Sequence, residues 1–272
     1  FSPKAQASMR FHMRQRMALL PMWAAAFQRA ATQGTPVVRP LWFDWPSVGS
    51  AGGADLSAEG SQAIVGPGMM AAPVLEQGAS NRSIVFPPAG AWFDWYTGAA
   101  VPGTAASNVT RTVVWQSSTY DPSPLFVRAG VALPVQGVAR NSTFSRKLPF
   151  GFTAFLDPSS GFTASGTAFW DDGVSTDSLT TGTYTLTAVA VTSSSDGTGS
   201  AVVTPSVSGA TSPPLLGQLT VAGAQGLKPG ALVKATINGQ SATATVDGAF
   251  LRIDAGSNAV SLNSAIRIEW TA

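Results

Sequence analysis

The stretch Gly34-Thr35-Pro36-Val37-Val38-Arg39-Pro40-Leu41-Trp42-Phe43 sets the architecture expected of this chain. It is a short apolar run with β-branched and aromatic residues between prolines, which predicts a buried strand over 36–43. A helix precedes it. Ser2 is placed to cap the N-terminus and Pro3 sits where a first-turn proline is tolerated. Met9, Met13, Met17, Leu20, Ala24, Phe27 and Ala31 recur at spacings of three and four, forming one apolar stripe. Core packing is the expected use of that stripe, with a Met-rich binding groove as the alternative. Pro21 predicts a kink, and Gln33-Gly34 a stop. A long helix feeding a buried strand is an α/β step of the sort that builds a parallel barrel or sheet.

Outward from this step the character changes. Ser47 to Gly60 is rich in Gly, Ser and Ala and predicts a loop followed by a short helix. From about Met69, runs such as Ser83 to Phe86, Val109 to Trp115 and Leu125 to Val131 alternate between Pro and Gly clusters, the pattern of an antiparallel sandwich. A second such region runs from about Leu148 to the end. Its strand candidates are Thr183 to Val191, Gln218 to Ala222, Leu232 to Ile237, Ala242 to Val246 and Ile266 to Trp270. Asn238-Gly239 marks a tight hairpin. No fixed-period repeat unites the two β regions.

Composition narrows the function classes. The 272 residues are 44% hydrophobic, enough for a sizeable core, and only 11% charged, so Ser, Thr, Asn, Gln and Gly carry the polar surface. Net charge is +2, and the one basic concentration is Arg10, Arg14, Arg16 and Arg29. Without aromatic residues interleaved on a wider basic face, no nucleic-acid partner is expected. There is no cysteine, which removes thiol nucleophiles, CxxC zinc sites and disulfides. The longest apolar run, Met17 to Phe27, is broken by Pro21 and is too short to span a membrane. The chain opens on Phe1 with no signal peptide in view, which reads as processing or truncation upstream.

Few residues offer chemistry by themselves. His12 is the single histidine, inside the helix, with no Gly-x-Ser-x-Gly elbow to serve. Glycoside hydrolysis needs two carboxylates, and the conspicuous pair is Asp171-Asp172. Adjacent strand residues face opposite ways, so these two cannot flank one sugar bond if the strand continues. A turn with Asp side chains on nearby amides is the expectation, and a calcium loop with Asp177 the alternative. The cluster Trp92, Phe93, Trp95, Tyr96 is expected in a core or domain interface, with sugar stacking as the alternative. Asn81, Asn108 and Asn141 head N-glycosylation triplets and point to a secretory route. No catalytic, cofactor-binding or metal-ligating residue is expected here, and no cofactor.

Read in order, the motifs resemble one family. Phe1-Ser2, Ala5-Gln6, Met9-Arg10, Arg16 and Ala18-Leu19-Leu20-Pro21 are similar to a helix late in the catalytic barrel of family 31 glycoside hydrolases of the lysosomal or secreted α-glucosidase type. Gly34 to Pro46 resembles that barrel's final strand, and Gln62 to Gly66 with Ala72-Pro73-Val74-Leu75 its exit. Gly90-Ala91-Trp92-Phe93-Asp94-Trp95-Tyr96-Thr97-Gly98 and Pro124 to Gly130 resemble the proximal β domain, and Phe169-Trp170-Asp171-Asp172-Gly173 with Gly182-Thr183-Tyr184 the distal one. Departures are Met17 and Met22 where the family carries aromatics, and Gly60 where it carries an acid, with Glu59 beside it.

The resemblance implies an α+β architecture: the last helix and strand of a (β/α)8 barrel over residues 1–66, then two antiparallel β-sandwich domains at 67–143 and 144–272. It implies part of a retaining α-glucosidase whose nucleophile and acid/base lie upstream of this chain. The expected partner is therefore the N-terminal catalytic barrel portion, which binds the α-glucoside substrate, in a secreted, lysosomal or vacuolar enzyme. A non-catalytic carbohydrate-binding or structural glycoprotein is the alternative from another class. An α-xylosidase, transglycosylase or α-glucan lyase is the alternative within the family.

Overall fold

The computed structural model describes residues 1–46, 60–77, 79, 81–88, 90–103, 109–114 and 122–272, the strand at 109–114 without its side chains. Helix α1 (Pro3–Ala18) begins as its sequence dictates, with Ser2 Oγ accepting the Ala5 N–H at 3.2 Å. It breaks at Leu19 (φ −90°, ψ 1°), two residues before Pro21, which then sits harmlessly in the first turn of α2 (Leu20–Gln33). Gly34, at φ 70°, ends α2.

The expected strand over 36–43 is much shorter. Strand β1 is only Val38–Arg39, and the chain turns at once into the one-turn helix α3 (Leu41–Asp44). Pro40 lacks the N–H a ladder needs, so the strand ends before it and the proline caps α3 instead.

Strands β2 (Ala63–Val65), β3 (Met69–Ala71), β4 (Asn81–Phe86), β5 (Trp92–Asp94), β6 (Val109–Val114) and β7 (Leu125–Arg128) follow. Five strands form an antiparallel sheet in the order β1-β2-β3-β7-β5, while β4 and β6 pair separately. Strand alternation gives this sheet two apolar faces. Ile64, Met70, Trp92 and Phe126 meet Ile84 and Phe86 of β4 and Leu41 of α3. Their chain neighbours Val65, Met69, Phe93 and Val127 point the other way, onto Leu19 and Met22 at the helix junction.

The remaining elements are β8 (Val131–Gln136), α4 (Ser142–Ser145), β9 (Phe150–Phe155), β10 (Thr163–Trp170), α5 (Ser178–Thr181), β11 (Thr185–Ser193), β12 (Gly199–Ser208), β13 (Leu215–Ala222), β14 (Lys234–Ile237), β15 (Gln240–Asp247), β16 (Phe250–Asp254), β17 (Val260–Ser261) and β18 (Ile266–Thr271). The expected distal sandwich is corrected by their pairing. The order β16-β15-β14-β18-β12-β11-β10-β8-β9-β13 returns to β16 through the β13–β16 ladder, so ten strands close into a ring, with β17 appended to β13.

Nor is the ring wholly antiparallel, because β9–β13 and β8–β10 are parallel contacts. Closure removes the unpaired edges that an open sheet would expose. Gly166 permits the β8–β10 contact, since a Cβ there would lie 1.9 Å from the Ala132 carbonyl oxygen. Strand β8 lies before residue 144, where the distal region is expected to begin, yet belongs to this ring.

All ten strands feed one interior. Phe150, Phe152, Val189, Val203, Ile253, Ile268 and Trp270 are at its centre. On the outside of the same wall, Val131, Leu133, Phe155, Ala222 and Phe250 pack under the five-stranded sheet and the helix junction. Each of the larger side chains among these, Ala222 excepted, stabilises by roughly 1.5–3 kcal/mol of burial. The order outward is therefore the β4–β6 pair, the five-stranded sheet, then the ring wall.

Candidate functional site at the helical face

Helix α1 is held by polar contacts along one side. His12 Nδ1–H donates to the Ser8 carbonyl at 2.8 Å, which leaves Nε2 to accept the Ser123 N–H at 2.9 Å. Tyr96 Oη donates to the Ser123 carbonyl at 2.9 Å, and Trp95 Nε1 to Gln15 Oε1 at 3.1 Å. Burial, and secondarily the charge of Asp94, raises the Tyr96 phenol above its ordinary range. His12 is thus a docking residue whose two ring nitrogens are both engaged.

The stripe expected to pack inward does so only in part, with Met17, Leu20 and Ala24 half-buried. Met9, Met13 and Phe27 are 47%, 54% and 60% exposed, and none of α1's sixteen residues is buried. The buried positions, Leu19, Met22, Ala25 and Ala26, lie on another side of the helical pair. Val38 on β1, Trp42 and Phe43 are also exposed, and β1 is an edge strand with β2 its single neighbour among the described strands. Apolar side chains and an open ladder edge thus occur together in residues 1–43.

Behind this surface Arg39 anchors the strand. Its guanidinium donates to Asp44 Oδ1 at 2.7 Å and Oδ2 at 2.8 Å, and to the Gly66 carbonyl at 2.7 Å, with the arginine only 7% exposed. Two forked bonds to one carboxylate make this a strong, orienting contact. The sequence stretch was legible, but nothing in it singled out this pair.

The other candidates take structural places. Asp171 Oδ1 accepts the Gly173 N–H at 2.8 Å, and Asp172 Oδ1 accepts those of Val174 and Ser175 at 2.9 and 2.8 Å. These are turn-forming bonds. The Ser175 hydroxyl, then the Ser175 and Val174 amides, lower the Asp172 carboxyl to about 2. Arg146 lies 3.8 Å over the Trp170 ring and donates to the Asp171 carbonyl, so one cation closes this turn.

Asp177 contributes no side chain to this network; its carbonyl accepts from Thr180 and Thr181. Among the described residues no group of three His, Cys, Asp or Glu could hold a metal ion. Trp92 and Phe93 are core residues, with Trp92 Nε1 donating to the Pro87 carbonyl at 2.9 Å. Asn81 and Asn141 are exposed, and Asn108 lies outside the described residues. Asn141 also caps α4, accepting the Phe144 N–H at 3.0 Å.

Residues 34–133, from the turn after α2 into β8, match the pattern of the glycosyl hydrolase family 31 C-terminal domain. The chain belongs to glycoside hydrolase family 31. This family 31 chain is 39% identical over 166 residues to an α-glucosidase of Aspergillus oryzae, covering 60% of the chain and 16% of that protein. It is 33% identical over 198 residues to the lysosomal α-glucosidase of Rattus norvegicus, covering 68% of the chain and 20% of that protein. The chain thus spans about a fifth or less of these relatives. A family 31 dextranase of Flavobacterium johnsoniae shares its fold, with a TM-score of 0.76 at 18% identity over 97% of this chain and 32% of that one. The likeness reaches through the closed ring, beyond the residues that the family pattern covers.

Proposed function

We propose that this chain is the C-terminal part of a retaining α-glucosidase that hydrolyses terminal α-linked glucose from maltose, oligosaccharides or starch. Residues 1–66 supply the last helix and strand of the catalytic barrel. The regions at 67–143 and 144–272, with β8 crossing between them, brace it. The observations that carry this reading are a sixteen-residue helix with no buried side chain and, in the same 1–43 segment, a strand with one neighbour among the described strands. Such surfaces are liabilities unless another structure covers them. The names of the A. oryzae and rat relatives supply the activity, and the match of residues 34–133 to a C-terminal domain supports placing the covering barrel upstream.

In that arrangement the chain performs no bond-breaking step. Two carboxylates about 5 Å apart do so in a retaining enzyme, one attacking the anomeric carbon and the other serving as acid and base. Asp171 and Asp172 are committed to a turn, and His12 to docking α1. What the chain contributes is rigidity: Arg39 fixes β1 against Gly66, and His12, Gln15 and Tyr96 fix α1 against the β layers. The name of the rat relative and the exposure of Asn81 and Asn141 support a secretory or lysosomal route with glycans at those sites. Among the described residues no helix is long and apolar enough to cross a membrane.

The test is to express the chain with its upstream coding sequence and compare maltose with an α-xyloside as substrate. Hydrolysis of maltose with retained anomeric configuration is the expected result. Preference for the xyloside, or no hydrolysis by the intact protein, would overturn it.

A further inference from the structure

Three adjacent strands of the ring wall change character along their length. Their outward-facing residues form rungs in register. Phe155, Ala222 and Phe250 make one rung, covered by the five-stranded sheet. The next is Thr153, Thr220 and Arg252, and the one after it is Gly151, Gln218 and Asp254. Where the apolar cover stops, these two polar rungs line an open cavity of about 420 Å³, bordered by Trp95.

Thr153 and Thr220 are only 7% and 4% exposed, yet their hydroxyls have no hydrogen-bond partner among the described residues. They are not sealed in, because the only sealed side-chain atoms lacking a partner there are Arg128 Nε and Trp270 Nε1. Their unmet hydrogen bonds therefore face the cavity. The Gln218 amide is likewise unengaged among the described residues. Asp254 uses Oδ1 for the Gly256 N–H at 2.8 Å and leaves Oδ2 open.

We infer that this cavity is a saccharide-binding site. The lining carries one cation and one anion, and Arg252 Nε already lies 3.9 Å from Asp247 Oδ2, so no uncompensated cation is left to select an anionic ligand. Paired hydroxyl, amide, carboxylate and guanidinium groups match vicinal hydroxyls, and an indole at the border suits the apolar face of a sugar ring. The volume falls within the range of small-ligand sites, roughly 300–1,000 Å³. That the sugar is an α-glucan rests on the proposed function; the cavity chemistry asks only for a neutral polyhydroxylated ring.

The experiment uses the complete protein, electrophoresed in gels containing soluble starch, with Gln218→Ala and the double variant R252A/D254A beside wild type. The double variant is expected to weaken starch retention at least tenfold while kcat and KM for maltose stay unchanged. Circular dichroism confirms that the variants are folded. Retention equal to wild type in both variants would overturn the inference and leave a water-filled cleft. If wild type is retained by starch but does not hydrolyse maltose, and the variants lose retention, the site stands and the α-glucosidase reading falls. If maltose is hydrolysed and retention ignores the variants, the site falls alone.

Discussion

Trp95 Nε1 donates to Gln15 Oε1 at 3.1 Å across eighty positions of sequence, joining the first helix to the loop after β5. This bond, with His12 on Ser123, holds α1 in place while none of its side chains is buried. Gln15→Ala is expected to cost about 1 kcal/mol of stability, the net value of one such bond. Gln15→Glu, which keeps an acceptor, should recover most of it. Denaturant unfolding of the three forms checks this, and equal midpoints would contradict it.

The Arg39–Asp44 fork should matter more. Asp44→Ala leaves a guanidinium that is 7% exposed without its counter-charge, and removing one partner of a buried pair costs roughly 3–5 kcal/mol. Arg39→Lys should also destabilise, because an ammonium cannot bridge both carboxylate oxygens and the Gly66 carbonyl in the same fork. Thermal unfolding measures both; a loss under 1 kcal/mol for Asp44→Ala would contradict the anchoring role.

Asp172 supplies a pH prediction. Its folded carboxyl sits at about 2, held down by the Ser175 hydroxyl and by the Ser175 and Val174 amides. Since the unfolded value is about 3.9, the folded state binds fewer protons between the two. The contribution is present above about pH 4 and is lost as pH falls toward 2. Carbon-13 NMR titration of the side-chain carboxyl should show its midpoint well below that of an ordinary aspartate. Replacing Ser175 by Ala should move the midpoint upward.

These contacts differ in how far sequence alone announces them. Ser2, Pro3, Pro21 and Gly34 are local signals, so the broken helix was legible to within a residue or two. Asn238-Gly239 gave its hairpin for the same reason, with positive φ at both residues and Ile237 opposite Gln240. Pro40 is visible in the sequence, but its effect is not: it stops at Arg39 a strand that the apolar pattern alone extends to Phe43.

Closure of the ring was not legible. The parallel β9–β13 and β8–β10 contacts and the β13–β16 ladder join distant segments, and period-two alternation reads the same in a sandwich and a ring. Strands 150–155, 163–170, 199–208 and 250–254 are not among those the sequence pattern predicts; the first is buried on both faces and shows no alternation. The cavity residues Thr153, Gln218, Thr220 and Arg252 come together only through that pairing. Asp171 and Asp172 were read correctly as a turn, because Asp before Gly carries its own local bonding.

The exposed stripe separates folding from assembly. Met13→Ser and Phe27→Ser remove side chains that touch little within this chain, so its own unfolding should shift by no more than about 0.5 kcal/mol. In the complete protein the same changes should lower the melting temperature and maltase activity together. Isolated-chain and intact-protein melts compared side by side make the distinction. Equal effects in both would mean the stripe meets no partner.

The central claim is that this chain completes a catalytic part carried elsewhere in the same enzyme. Its most direct test is the intact mass and N-terminal sequence of the native protein bearing these residues, with maltose hydrolysis measured on the same sample. The account predicts that a catalytic portion travels with residues 1–272, in one chain or two, and that the assembly cleaves maltose. A native, stable, soluble monomer consisting of this chain alone would contradict it.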